Sequence, residues 1–240
     1  MEVPFLIAAS LFLAGFVMGV SGFGFAIMAI GMMSFFWPIP KTVALIFVYS
    51  LPINMVLLFQ LRNHIVVRRI LLQVVAFIPG AVIGAFVFLN VREALLKQIV
   101  GAVLIVFGFW SLQRKTRLIP KSRFLGGLAG FLAGVLGGAV YMPGPPMIVY
   151  QTMTETDRFR FKTDLQLFFF FTNFILLAAF LYCGLDQNID LLRSLLFSPF
   201  AVFGLLGGSF LFQRLNNETF KQICSILVGV IGVILFLIHV

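Results

Sequence analysis

The sequence predicts an all-α integral membrane protein made of two inverted-topology repeats, each a broken-helix hairpin followed by three transmembrane helices. Three observations carry that class: an apolar composition, a glycine-rich pattern that occurs twice, and the placement of the basic residues. Hydrophobic residues make up 61% of the 240 and charged residues 10%, with a mean hydropathy of +1.11. A water-soluble domain is about half apolar and a quarter charged, so this chain takes the bilayer as its solvent. Apolar stretches of about 20 residues leave room for roughly eight to ten membrane segments on short loops, and none for a soluble catalytic domain.

The duplication is read from two stretches. Gly15-Phe16-Val17-Met18-Gly19-Val20-Ser21-Gly22 recurs as Gly130-Phe131-Leu132-Ala133-Gly134-Val135-Leu136-Gly137, an offset of 115. Later, Gly84 matches Gly208 and Lys97-Gln98-Ile99 matches Lys221-Gln222-Ile223, an offset of 124. Repeat 1 then covers 1–113 and repeat 2 covers 124–240, with 114–123 as a basic cytoplasmic linker between them.

Each repeat opens on a stretch too long for one helix. Val3 to Pro40 holds 38 residues without a charge, about 57 Å as a helix against a hydrocarbon core of about 30 Å. Ser21-Gly22-Phe23-Gly24 supplies the break in the first repeat, because glycine reaches backbone angles other residues avoid. Gly137-Gly138 with Pro143-Gly144-Pro145-Pro146 supplies it in the second, so each opening becomes a pair of short helices. Three ordinary spans follow in each repeat: Thr42–Leu61, Ile70–Leu89 and Leu95–Leu112, then Leu165–Gly184, Leu191–Phe212 and Ile223–Ile238.

Charge placement selects this paired reading over single long crossings. The net charge of +9 would point a soluble protein towards nucleic acid, but here the basic residues sit in loops. With paired helices, 13 of the 17 Lys and Arg fall on one side, leaving Lys41, Arg92, Lys97 and Arg193 opposite; single crossings split them 9 against 8. Only the first is a positive-inside pattern. Each repeat then crosses an odd number of times, so the second lies upside down relative to the first. The expected location is the plasma membrane, a bacterial inner membrane, with both termini outside. No basic n-region or cleavage site precedes the first apolar stretch, so Val3 onward is expected to belong to the mature fold.

In inverted-repeat transporters, substrate meets the unpaired backbone groups of interrupted helices near the midplane, and a helix N-terminus attracts anions. The breaks therefore nominate Ser21, Gly22, Gly24, Gly137, Gly138, Tyr141 and Gly144 as anion-binding positions. Asn54 and Asn173 join them, because an amide within a span must find either a neighbouring helix or a ligand. Lys162, Asp164 and Gln166 stand at the inner end of a span as candidates for an inner gate or for coupling. The outer glycines Gly15, Gly19, Gly130 and Gly134 read as close helix packing instead.

Enzyme chemistry finds no support. His64 and His239 are the only histidines, no HExxH or P-loop is present, and no pair of carboxylates falls at helical spacing within a span. No catalytic residue, metal ligand or cofactor is expected, and Cys183 and Cys224 have no ligand spacing. The expected partners are a small anion and membrane lipids, with protons as a coupling ion and a homo-oligomer both left open and nucleic acid excluded.

The run Gly137-Gly138-Ala139, then Gly144-Pro145-Pro146-Met147-Ile148-Val149-Tyr150, then Phe161-Lys162-Thr163-Asp164-Leu165-Gln166, together with the glycine-rich start of each half, resembles the sulfite exporter TauE/SafE family. The resemblance spans nearly the whole chain. It implies a duplicated membrane transporter for sulfur-containing anions such as sulfite, thiosulfate and sulfonates, or for organic acids, coupled to protons or running with the gradient. A channel-like anion permease and a non-transporting membrane scaffold subunit stay open as alternatives.

Overall fold

The computed structural model describes residues 2–112, 119–155, 157–182 and 196–212, together with Val233. The described residues form nine helices and no strand: α1 (Glu2–Ser21), α2 (Phe25–Met33), α3 (Ile39–Gln60), α4 (Leu71–Asn90), α5 (Glu93–Leu112), α6 (Arg123–Val140), α7 (Gly144–Thr154), α8 (Arg158–Tyr182) and α9 (Ser198–Phe212). Two short 3-10 turns, Arg62–His64 and Val67–Arg69, join α3 to α4. Among the described residues four helices are long and apolar enough to cross a membrane, over Lys41–Gln60, Leu71–Asn90, Arg123–Val140 and Phe159–Ala179. The span expected over Ile223–Ile238, the start of the one over Leu191–Phe212, Arg193 and both cysteines lie outside the described residues.

Both expected breaks are present, but the helix pairs are unequal. α1 has 20 residues and α2 only 9; α6 has 18 and α7 has 11. At 1.5 Å per residue the long arms reach about 30 and 27 Å and the short arms about 14 and 17 Å. The expectation of two short helices per opening is thereby corrected. Gly137 and Gly138, assigned to the second break, lie instead in the last turns of α6. α8 also begins seven residues before Leu165, because Asp157 Oδ1 accepts the Phe159 N–H at 2.8 Å and the Arg160 N–H at 3.2 Å, which starts the helix there.

The chain divides into two compact units, Met1–Ile53 with Arg92–Arg114 and Asp186–Val240, and Asn54–Val91 with Lys115–Leu185. Each unit is built on one tight helix pair that joins a helix from each half of the sequence. In the first unit α1 packs on α9; a Cβ on Gly15 would run into the Ala201 carbonyl, and one on Gly19 into Leu205 and Gly208 backbone. In the second unit α4 packs on α6, where a Cβ on Gly134 would strike Phe77 and Gly80 backbone and one on Gly138 would strike Ala81 and Gly84 backbone. Small residues let the backbones approach this closely, and in lipid that van der Waals packing holds helices together. The opposite face is apolar and open. Val75, Val82 and Phe86 of α4 are 56–68% exposed while Gly80, Ala81, Gly84 and Ala85 are buried, the arrangement expected when hydrocarbon is the solvent.

The two pairs repeat one another contact for contact. Gly15 meets Ala201 and Leu205 as Gly134 meets Phe77 and Ala81; Gly204 meets Phe12 and Phe16 as Gly80 meets Phe131 and Val135. α9 thus matches α4 at the expected offset of 124, but α6 matches α1 at 119. The sequence offset of 115 is short by one helical turn. Glycines spaced four apart look alike after a one-turn slip, and only the partner helix distinguishes them.

In the second unit the chain leaves the hairpin where it entered. Lys121, before α6, bonds Glu155, after α7, at 2.7 Å, and the Ile119 N–H donates to the Met153 carbonyl at 2.8 Å. At the same end the His64 ring stacks on Phe159, with 5.3 Å between centroids. The basic turn between α3 and α4 therefore lies beside the start of α8.

Candidate functional site

The first break is made by two glycines with left-handed backbones, Gly22 at φ 78° and Gly24 at φ 97°. The Gly22 N–H still reaches the Met18 carbonyl at 2.8 Å, closing α1. Ser21 is consumed here: its hydroxyl donates to the Val17 and Phe23 carbonyls at 2.7 and 2.5 Å and accepts the Phe23 N–H at 3.2 Å. It braces the break, leaving no donor for a ligand in this conformation. Gly24 caps α2 with no side-chain cap, and the first bond of that helix runs from the Met28 N–H to the Gly24 carbonyl at 2.9 Å. The N–H groups of Phe25, Ala26 and Ile27 thus find no acceptor among the described residues, as the first turn of any uncapped helix requires. Phe25 and Ile27 are buried and Ala26 is half-buried.

The second break is built differently. At the 119 offset Tyr141 stands where the first copy has Gly22, and it adopts the same left-handed region at φ 55°, ψ 35°, rare for a residue with a side chain. Its N–H closes α6 on the Gly137 carbonyl at 2.9 Å, and the Met142 N–H reaches back to Leu136 at 3.2 Å. Its hydroxyl donates to Asn173 Oδ1 on α8 at 2.5 Å. Asn173 corresponds to Asn54 by the same offset of 119. Of the nominated residues, then, the structure joins Tyr141 to Asn173 directly. Gly137 would put a Cβ against the Phe77 ring, and Gly138 against Ala81 backbone, so both serve packing. Gly144 begins α7, but Pro143, Pro145 and Pro146 surround it, and proline has no N–H to offer. The second helix start carries fewer donors than the first.

A polar ladder runs along α8. Lys162, Thr163, Asp164, Gln166, Thr172 and Asn173 are all buried. The threonines satisfy themselves on their own helix, Thr163 donating to Phe159 at 2.7 Å and Thr172 to Phe168 at 2.8 Å. Asp164 Oδ1 and, on the adjoining α7, Gln151 Oε1 have no donor among the described residues. Asn54 is buried on α3, two residues after Pro52 and one turn after Ser50, whose hydroxyl donates to Phe47 at 3.1 Å. Gln73 on α4 hydrogen-bonds Tyr150 on α7. Among the described residues no cluster of three or more His, Cys, Asp or Glu could hold a metal. Sequence reasoning missed the amides of Phe25, Ala26 and Ile27; the signal was a glycine at the N-cap followed by three residues with N–H groups and no capping side chain.

Membrane-length helices with apolar outer faces, glycine-lined helix pairs, and helices interrupted beside buried polar groups define a polytopic membrane protein of the transporter class. Residues 7–235 match the sulfite exporter TauE/SafE family. The chain belongs to that family of membrane transporters. No curated protein and no solved structure matches it.

Proposed function

We propose that this chain is a secondary transporter of small sulfur-containing anions, with sulfite, thiosulfate and sulfonates as the substrate class, and that the anion binds at the helix breaks. The observation that carries the reading is the start of α2, where three uncapped amides point out of a helix N-terminus held open by Gly22 and Gly24. Such a terminus carries about half a positive charge and needs no cationic side chain to hold an oxyanion. Family membership supplies the sulfur chemistry; the break supplies the donors. The second break is proposed as an anion-binding position within its own unit, through Tyr141, Gly144 and Asn173, with Asn54 as the counterpart of Asn173. The charge bias supports two repeats inverted in the plasma membrane with both termini outside.

The duplication itself provides the test. At the 119 offset Ala26 corresponds to Pro145, so Ala26→Pro removes one amide donor at a place where the second copy already tolerates proline. A hydrogen bond to a charged group contributes about 1.5–3 kcal/mol, so the variant is expected to insert and melt like wild type while its affinity for sulfite or thiosulfate falls about 10- to 100-fold. Unchanged anion binding by purified Ala26→Pro would remove α2 from the site. Saturable flux in proteoliposomes separates the carrier from a channel-like permease, and anion binding of any kind separates both from a scaffold.

A further inference from the structure

The buried carboxyl on α8 is costly to keep charged. Asp164 is 1% exposed and its Oδ1 has no hydrogen-bond donor among the described residues. An ionised carboxylate in that condition carries a desolvation cost. A second orphan acceptor, Oε1 of Gln151, is 3% exposed on α7, which packs against α8. A protonated carboxyl becomes a donor, while an amide oxygen remains an acceptor.

The charged groups around Asp164 come from every element packed on α8. Arg69 precedes α4, Lys121 precedes α6, Glu155 follows α7, and Arg160 lies one turn earlier on α8 itself; Lys162 is buried two residues away, and the His64 ring stacks on Phe159. A metal cation fits poorly: Arg69, Lys121, Arg160 and Lys162 outnumber the Asp164 and Glu155 carboxylates and repel it, and one buried carboxylate with one amide oxygen falls well short of the roughly six oxygens a hard cation takes. A proton needs only one oxygen and cancels the buried charge. Arg160 and the Lys121–Glu155 pair stand at the open end of the helix, so Asp164 lies one helical turn from water.

We propose that Asp164 is the proton-binding site that couples transport to a pH gradient, with Gln151 as the acceptor for its protonated form. This rests on the transporter reading above. The step is a simple transfer, in which hydronium gives its proton to the Asp164 carboxylate and leaves as water, and the reverse occurs on release.

The probe is thiosulfate, which stays fully ionised across the neutral range, so a pH gradient acts through the protein and not through the substrate. In wild-type proteoliposomes one coupled proton per anion gives about tenfold accumulation per pH unit. In Asp164→Asn the ratio of accumulation with and without the gradient is expected to fall to one, and Asp164→Glu restores part of it. A wild-type ratio in Asp164→Asn overturns the proposal. Infrared titration of the purified protein gives a reading independent of flux: a protonated-carboxyl band that titrates in wild type should vanish in Asp164→Asn and change frequency in Asp164→Glu. A band unaltered in the variants overturns the proposal even if Asp164→Asn inserts poorly. If wild type moves no thiosulfate, the anion reading falls, and the infrared titration still decides whether Asp164 takes the proton.

Discussion

Tyr141 donates its hydroxyl to Oδ1 of Asn173 across 2.5 Å, tying the left-handed residue that ends α6 to the C-terminal half of α8. Hydrogen bonds between membrane helices contribute about 0.6 kcal/mol on average and about 1.7 at most. Tyr141→Phe removes the donor and keeps the ring, so a loss of stability within that range is expected in detergent melts. Combining it with Asn173→Leu should cost less than the two single changes together. Strict additivity would show that the bond does not hold the break closed.

The α4–α6 seam predicts opposite outcomes for two glycines of α6. A side chain at Gly138 would enter the backbone of Ala81 and Ala85, whereas a Cβ at Gly127 meets nothing within 4 Å. Gly138→Leu should therefore fail to accumulate as a folded protein, which makes it a probe of packing and not of the anion site. Gly127→Ala should melt at or above wild type, since alanine favours a helix over glycine by about 0.8–1 kcal/mol. Full accumulation of Gly138→Leu would contradict the seam.

Asp157 gives a pH dependence with a definite sign. The Arg160 and Phe159 backbone N–H groups hydrogen-bond its carboxylate and hold its pKa below the usual aspartate value. A carboxyl with a depressed folded-state pKa stabilises the protein above its ordinary pKa, and that contribution fades as pH falls through the depressed value. Asp157→Asn keeps a capping oxygen but removes the titration. Its melting temperature should drop less than that of wild type on acidification, and parallel curves would count against the cap.

Topology can be read directly. The stacking of His64 on Phe159 places the α3–α4 turn at the same end as the start of α8. With the native cysteines replaced, single cysteines at Arg62 and Arg160 should both react with a membrane-impermeant maleimide from the same side. Labelling from opposite sides would break the hairpin reading on which the charge bias rests.

The membrane class and the places where the chain breaks were legible in the sequence, because both depend on local chemistry. Apolar runs choose lipid over water wherever they fold, and Gly22 and Gly24 permit angles that end α1 regardless of what packs nearby. The three prolines around Gly144 likewise declare in advance which amides are missing. The use of each small or polar residue is another matter. Gly138 and Gly24 are the same residue in glycine-rich surroundings, yet one is filled by the backbone of α4 and the other caps α2. Ser21 spends its hydroxyl on its own turn and Asn173 meets Tyr141, neither of which spacing reveals. The register of the repeat slipped by a turn for the same reason. A four-residue glycine period is invariant to that shift, so the sequence determines that a helix has a small-residue face, and only the helix packed against it decides which residues that face uses.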